Sequence, residues 1–154
     1  MIHVALYEPE IPPNTGNIMR TCANAGCMLH LIHPLGFQLD EKRLRRAGMD
    51  YRDLAVVREH AGFAAFSTAM ADRRVFALTT RGDTCYADAR FEAEDVLLFG
   101  PETRGLPDSL LAVLPPEARL RIPMLPDSRS LNLANTVAVV VYEALRQHRF
   151  ADLR

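Results

Sequence analysis

Short apolar segments alternate along this chain with segments whose apolar residues recur at helical spacing. Residues 2–7 read as a buried strand, a proline-rich loop over 8–13 follows, and a helix is predicted over 15–25, where Gly26 ends it. Further strands are predicted over 28–33, 75–79, 96–99 and 120–122, and further helices over 40–47, 61–70 and 106–114. Because strands alternate with helices, we expect an α/β fold in which a mostly parallel sheet is flanked by helices.

The last apolar segment, residues 131–145, is predicted to be a helix that needs cover on more than one side. Its polar residues form a single narrow stripe at helical spacing, Asn132, Thr136, Glu143 and Gln147, and nearly all its other residues are apolar. One face of a sheet cannot cover such a helix alone. We therefore expect it to pack against a second subunit as well, with burial under a loop of the same subunit as the alternative.

Size and charge limit what the chain can be. It is predicted to form a single domain over residues 1–154, and its 18 Lys and Arg against 19 Asp and Glu leave it nearly neutral. A near-neutral protein cannot hold nucleic acid by bulk charge, so any nucleic-acid contact must be local. Its three cysteines, Cys22, Cys27 and Cys85, lack zinc-ligand spacing, and no apolar stretch reaches the ~20 residues that a bilayer requires. We expect a cytoplasmic protein without a metal and without a membrane segment.

Three polar segments follow predicted strands, at residues 14–20, 100–106 and 127–135. In open α/β sheets, ligands bind beyond the carboxyl ends of the strands, so these segments are the candidate sites. In the first, Asn14 or Thr15 opens a helix from which Arg20 points away from the apolar side, an arrangement suited to a phosphate. A plain helix cap is the alternative interpretation.

The second and third segments combine glycine or proline with polar side chains. In residues 100–106 two glycines and a proline surround Glu102, which permits close backbone approach to a ligand, although a plain turn has the same pattern. Residues 122–135 form a proline-stiffened loop whose backbone groups could hold a flat heterocycle, and Asp127, Ser128 or Ser130 could also be a helix cap. The chain lacks a P-loop, and no Gly-x-Gly-x-x-Gly follows the first strand, so the usual kinds of ATP and NAD binding lose support.

Segments 14–20, 100–106 and 130–135, in this order and spacing, closely resemble the SPOUT family of RNA methyltransferases. Within that family the chain is most similar to the minimal, single-domain enzymes that methylate the ribose 2′-oxygen of the tRNA wobble nucleotide, cytidine or uridine. Segments 7–13, 45–51 and 122–129 carry this closer similarity, and the resemblance covers essentially the whole chain.

The resemblance implies a deep trefoil knot near the C-terminus, S-adenosylmethionine as the cofactor and an obligate homodimer. The implied cofactor contacts are Leu78, Thr79, Gly100, Ile122, Met124, Ser130, Leu131 and Asn132. The implied residues of the reaction centre are Arg20, Asn14, Glu102, Ser130 and Asn132. In such a dimer Arg20 works across the interface, and Tyr142 lies at or near the contact.

Arginine carries the predicted contacts with RNA. A guanidinium stays protonated, so we expect Arg20 to clamp a phosphate and to stabilise charge on the attacking oxygen rather than to act as a free base. The predicted contacts with a tRNA anticodon stem-loop are Arg20, Arg43, Arg45, Arg46 and Arg129. For the basic cluster within residues 42–52, a solvated helix face is the alternative.

Several functions stay open at this point. Ribose methylation at another tRNA or rRNA site, a non-catalytic RNA-binding module of the same fold, and a nucleotide enzyme acting on a small molecule are the alternatives. For Glu102 the choice lies between orienting a loop or a group near the cofactor and standing exposed beside Arg104. Strand alternation puts His30 and His33 on opposite faces, so no metal site is expected there.

Overall fold

A seven-stranded parallel sheet runs through the molecule, which we describe from a computed structural model of residues 1–154. Its strands are β1 (His3–Tyr7), β2 (Met28–Ile32), β3 (Val57–His60), β4 (Val75–Leu78), β5 (Thr84–Cys85), β6 (Val96–Phe99) and β7 (Arg119–Arg121). They lie in the order β3-β2-β1-β6-β4-β7-β5, and every neighbouring pair is parallel. The predicted α/β class with a mostly parallel sheet is confirmed.

The chain has six α-helices, of which the first five lie between strands and the sixth follows β7. They are α1 (Pro12–Ala25), α2 (Glu41–Arg46), α3 (Tyr51–Ala55), α4 (Phe63–Ala69), α5 (Asp108–Ala112) and α6 (Leu133–Gln147), with short 3₁₀ turns at Tyr86–Asp88 and Pro116–Ala118. Gly26 ends α1 in the left-handed conformation at φ 68°, as its position after the apolar pattern predicts.

The start of α1 differs from the prediction. The chain enters the helix at Pro12, so residues 12 and 13 are helical and not loop, and the N-cap is Ile11 rather than Asn14 or Thr15. Proline is well suited to this place because its fixed φ is already helical and the first turn has no use for its missing N–H. Ile11 has no side chain that can cap the helix.

Three elements were not predicted from the sequence: α3, β3 and β5. The helix α3 is five residues long and opens with a reciprocal capping box between Asp50 and Asp53. The edge strand β3 reads Val-Arg-Glu-His, and its central Arg58 and Glu59 are exposed, so it lacks an apolar run. The strand β5 has only two residues.

The apolar residues divide between the two faces of the sheet because side chains alternate along each strand. Val4 and Leu6 of β1 face a core of 23 buried residues, which α1 and α6 cover. Ala5 of the same strand faces a second core of 10 buried residues, which α4 and α5 cover through residues such as Phe66 and Leu110.

The helix α6 packs against the sheet and against α1, and its helical conformation is confirmed. One end of its polar stripe is used inside the subunit, because Gln147 accepts a hydrogen bond from the Phe91 backbone N–H at 2.9 Å and donates one to the Ala89 carbonyl at 2.9 Å. Val139 and Tyr142 stay 38% and 45% exposed on its outer side. A second subunit on that side stays a prediction.

None of the helices combines the length and the apolar composition that a membrane crossing needs. No group of three or more His, Cys, Asp and Glu side chains is placed to hold a metal ion.

Candidate active site

A cleft of about 500 Å³ opens at the carboxyl ends of β4, β6 and β7. The sheet order places these three strands side by side, although they are separated in the sequence. The segments that follow them, residues 78–81, 99–106 and 122–136, therefore meet at one edge of the sheet and form the walls. This is where a parallel α/β sheet places its ligand site.

The cleft brings together the residues that were predicted to contact a cofactor. All eight line it: Leu78, Thr79, Gly100, Ile122, Met124, Ser130, Leu131 and Asn132. Asn14 and Glu102 line it too, whereas Arg20 does not. The predicted convergence of these residues is thus present in the fold, and their binding roles stay predictions.

Backbone groups supply much of the polar surface of the cleft. The amide N–H and carbonyl groups of Gly100, Ile122, Met124 and Leu131 make no hydrogen bond within the chain. They lie just beyond strand ends or in the loop that joins β7 to α6, where no ladder uses them. Unpaired donors and acceptors around a partly apolar cleft suit a flat heterocycle with a polar edge.

Glu102 fixes the entrance of α1. Its carboxylate accepts hydrogen bonds from the backbone N–H groups of Glu10 at 2.8 Å and Ile11 at 3.1 Å. It satisfies the backbone N–H groups of the two residues just before the helix, and its negative charge lies at the positive end of the helix dipole. These contacts favour the loop-orienting role over an exposed position beside Arg104, which instead lies 3.5 Å from a carboxylate oxygen of Glu8.

A second carboxylate, that of Glu10, makes hydrogen bonds to the loop that carries Glu102. Glu10 accepts hydrogen bonds from the backbone N–H of Thr103 at 2.9 Å and from its hydroxyl at 2.7 Å. These donors hold the pKa of the Glu10 carboxyl below its usual value. Glu10 and Glu102 therefore join the loop after β1 to the loop after β6. The sequence offered no signal for the contact between Glu10 and Thr103, which lie 93 residues apart.

Two asparagine side chains extend this network to the third segment. The Asn132 amide donates to Asn14 Oδ1 at 3.0 Å, and the Asn14 amide reaches Glu102 Oε1 at 3.5 Å. Asn132 Oδ1 accepts the backbone N–H of Ala134 at 2.9 Å, so it is the cap of α6. The expectation that Asp127, Ser128 or Ser130 caps this helix is wrong, because the helix begins after Asn132.

Arg20 lies outside the cleft, in a shallow groove between α1 and α6. The residues of this Arg20 groove are Asn17, Arg20, Thr21, Asn132, Ala134, Asn135 and Ala138. Asn132 lines both the groove and the cleft. The side chain of Arg20 is 51% exposed, in line with the prediction that it points away from the core. Its Nη2 atom contacts the Gly48 carbonyl, Met49 Sδ at 3.8 Å and Asp53 Oδ2 at 3.4 Å.

The other predicted RNA contacts lie on the surface. Arg43, Arg45 and Arg46 are exposed on α2, and Arg129 is exposed in the loop before α6. Arg45 pairs with Glu41 at 2.7 Å and Arg43 lies 3.7 Å from Asp40, so part of this face is an ordinary solvated helix surface. Neither Arg46 nor Arg129 makes an ion pair.

Comparison with known proteins identifies the family. The model of the SpoU rRNA methylase family matches residues 1–142. The chain belongs to this family. Relatives of nearly the same length include the tRNA (cytidine(34)-2′-O)-methyltransferase of Aeromonas hydrophila, 59% identical over 151 residues, which span 98% of this chain and 97% of that protein. The enzyme with the same name from Escherichia coli K12 is 57% identical over 147 residues, 96% of this chain and 94% of that protein.

Solved structures agree with this membership. A structure that concerns the 2-OH methylation of C/U34 on tRNA superposes with a TM-score of 0.89 at 51% identity and covers 97% of both chains. An AdoMet-bound rRNA methyltransferase from Sinorhizobium meliloti superposes with a TM-score of 0.80 at 27% identity, over 94% of this chain and 56% of that one. The resemblance to RNA methyltransferases seen in the sequence is confirmed.

Proposed function

We propose that this protein transfers the methyl group of S-adenosylmethionine to the ribose 2′-oxygen of the wobble nucleotide, cytidine or uridine 34, of tRNA. The observation that carries the proposal is the 57% and 59% identity, over nearly the full chain, to two enzymes that bear this activity in their names. The cleft at the strand ends supports it independently, because its residues suit the cofactor that this reaction uses.

The fit to S-adenosylmethionine rests on volume and on donor chemistry. A cleft of about 500 Å³ falls within the range of about 300–1,000 Å³ that is typical of small-molecule sites. The free backbone groups of Ile122, Met124 and Leu131 suit the polar edge of an adenine, and the apolar side chains of the same loop suit its faces. When bound, S-adenosylmethionine supplies a methyl group attached to a positively charged sulfonium, which is a good leaving group.

The residues of the chain then have to orient the ribose hydroxyl and to assist the loss of its proton. Arg20 remains protonated and donates hydrogen bonds to a substrate phosphate and to the oxygen that gains charge. Ser130 offers a hydroxyl at the cleft, while Asn14, Asn132 and Glu102 hold the cleft walls through the hydrogen bonds described above.

A homodimer is part of the proposal because Arg20 does not line the cleft of its own chain. To act on a ribose at a cleft, it must reach the cleft of a second subunit. The outer side of α6 supports such a contact, since Val139 and Tyr142 expose 38% and 45% of their surface there. We place Tyr142 in the contact between the subunits.

The trefoil knot also belongs to the proposal, within one methyltransferase domain over residues 1–154. One close backbone approach supports it. A Cβ on Gly82 would lie 2.4 Å from the Leu120 carbonyl carbon. The segment that precedes β5 thus passes so close to the backbone of β7 that only glycine fits, as expected where one segment threads past another.

The anticodon stem-loop of tRNA is the proposed RNA partner. The arginines on α2, together with Arg129 and Arg20, contact its phosphates, so affinity falls as salt rises. A near-neutral chain attracts RNA weakly through its net charge, and these few side chains therefore carry the binding.

The test is transfer of labelled methyl from S-adenosylmethionine to whole tRNA, followed by digestion and identification of the labelled nucleoside. We expect 2′-O-methylcytidine or 2′-O-methyluridine from position 34. A tRNA with a 2′-deoxynucleotide at position 34 is the matched control and should accept no label. Label in a base, label that persists on the deoxy control, or no label at all would overturn the proposal.

A further inference from the structure

Asp53 is a buried carboxylate that belongs to neither apolar core. It is 5% exposed, and it lies in α3 at the third position of the helix. Its Oδ2 atom accepts the Asp50 backbone N–H at 2.9 Å and lies 3.4 Å from Arg20 Nη2. A carboxylate removed from water in this way needs a donor or a cation to offset the cost of its burial. Arg20 is the cation that the fold supplies.

The contact with Arg20 is one-sided. Every contact of the guanidinium goes through Nη2, to Asp53, to the Gly48 carbonyl and to Met49 Sδ. The Nε and Nη1 atoms make no hydrogen bond within the chain. The segment 48–53 therefore binds Nη2 of Arg20 and leaves Nε and Nη1 available to a ligand in the Arg20 groove.

We infer that Asp53 is a positioning residue that holds the Arg20 guanidinium in the orientation needed to contact the substrate phosphate and ribose oxygen. The inference rests on the proposed function of Arg20. An unrestrained arginine loses side-chain rotamer entropy when its guanidinium is fixed in one orientation. The buried carboxylate fixes the side chain before substrate arrives, so less of this entropy is lost when the transition state forms.

The segment that holds Arg20 lies next to the arginines that are predicted to contact RNA. Residues 47–50 join α2, which carries Arg43, Arg45 and Arg46, to α3, which carries Asp53. The segment 48–53, which follows the α2 arginines, thus contacts Arg20 through Gly48 and Asp53. This segment therefore connects the arginines on α2, which bind RNA phosphate in the proposed function, to Arg20, which orients the reacting ribose.

The test compares methyl transfer by the parental enzyme and by Asp53→Asn, which is isosteric and retains an oxygen for the Asp50 N–H. We expect kcat to fall by about 100-fold, as for a reacting group displaced by about 1 Å, with an unchanged KM for S-adenosylmethionine. In an Arg20→Ala background, Asp53→Asn should cause no further loss, because the two residues act through one interaction. Asp53→Ser, whose hydroxyl can also accept the Asp50 N–H, provides a second variant if the first unfolds.

The matched control is Asp50→Ala, which removes the other half of the capping box and leaves the Asp53 carboxylate in place. It should lower thermal stability and retain the parental kcat. The inference is overturned if Asp50→Ala lowers kcat as much as Asp53→Asn does, if the losses from Asp53→Asn and Arg20→Ala multiply, or if Asp53→Asn turns over at the parental rate. Failure of the proposed function is distinct, because the parental enzyme then leaves tRNA unlabelled or Arg20→Ala stays fully active.

Discussion

Acidification from about pH 7.5 to about pH 5 should destabilise the folded protein through a chain of three histidines. His3 Nδ1 is 2.9 Å from His30 Nε2, and His30 Nδ1 is 2.8 Å from His60 Nε2. Glu94 Oε2 ends the chain at 2.9 Å from His3 Nε2. If each ring carries its proton on Nε2, every link has one donor and one acceptor and all three rings are neutral.

His30 is the ring that resists protonation most clearly. It is 3% exposed, and Phe66 packs against it edge-on. Four groups that are positively charged when protonated face it: His3, His60, Arg58 and Arg73. Burial first, and then these neighbours, lower the pKa of His30 from 6.5 to about 4. Burial also lowers the pKa of His60.

The sign and the size of the effect follow from these pKa values. The unfolded chain takes up a proton on His30 as the pH falls through 6.5, whereas the folded chain does not until about 4. Stability is therefore greatest above pH 6.5 and declines below it. At about 1.4 kcal/mol per pKa unit, the interval allows a total loss of about 3 kcal/mol, of which about 2 kcal/mol has developed by pH 5.

Glu94 acts in a lower pH range. Hydrogen bonds from His3 and from the chain N-terminus lower the pKa of its carboxyl from 4.5 to about 2. The contribution of Glu94 to stability is therefore intact above 4.5 and is lost as the pH falls towards 2. The decline between pH 6.5 and 5 therefore does not come from Glu94.

The assay is urea unfolding of the parental protein and of His30→Gln at a series of pH values. Glutamine keeps one donor and one acceptor but does not titrate. At pH 5 the free energy of unfolding of His30→Gln should therefore have fallen by about 2 kcal/mol less than that of the parental protein. His33→Gln is the control, because His33 is partly exposed, pairs with Glu59 and does not belong to the row of three histidine rings. This variant should retain the loss of stability below pH 6.5 that His30 causes. Parallel profiles for the parent and His30→Gln would refute the reasoning.

Three further predictions concern the proposed active site. Gly100→Ala should abolish S-adenosylmethionine binding in calorimetry, since the new Cβ would lie 2.4 Å from a backbone nitrogen. The control is Gly16→Ala, which has open space around the new Cβ. This control should bind S-adenosylmethionine normally and gain about 0.5–1 kcal/mol of stability. Normal binding by Gly100→Ala would contradict the tight approach. Arg45→Ala combined with Arg46→Ala should weaken tRNA binding and reduce its salt dependence without changing cofactor affinity; unchanged tRNA affinity would remove this surface from the RNA interface. Arg20→Lys should lose most of kcat in methyl transfer, because an ammonium cannot reproduce the planar guanidinium; turnover at the parental rate would contradict the proposed clamp.

The fold was predictable wherever burial leaves a pattern. The strands β1, β2, β4 and β6 are apolar on both sides because helices cover both faces of a parallel sheet, and such runs stand out in the sequence. The strand β3 lies at the edge and exposes Arg58 and Glu59, so it carries no such run. Pro12 and Pro13 read as helix breakers, because the sequence alone does not tell the first turn of a helix from its interior.

The candidate site was predictable from family resemblance more than from pattern. The resemblance indicated the eight residues that line the cleft, and the order of the strands explains why they meet. The contacts that orient the site were missed because their partners lie far apart: Glu10 and Thr103 by 93 residues, Arg20 and Asp53 by 33. The Asp50-x-x-Asp53 spacing could have predicted the cap of α3, but not its contact with Arg20.

The near-neutral composition gains a physical meaning from how the arginines are paired. On α2, Arg45 pairs with Glu41 at the surface, and an exposed pair four residues apart is worth only about 0.3–0.5 kcal/mol. A phosphate can displace such a partner at little cost, so pairing lowers attraction to non-specific polyanions without blocking a well-placed one. Arg20 differs, because its carboxylate partner, Asp53, is buried and stays in place when substrate binds. In the proposed enzyme the weakly paired arginines therefore supply RNA affinity, and the one held by Asp53 supplies orientation.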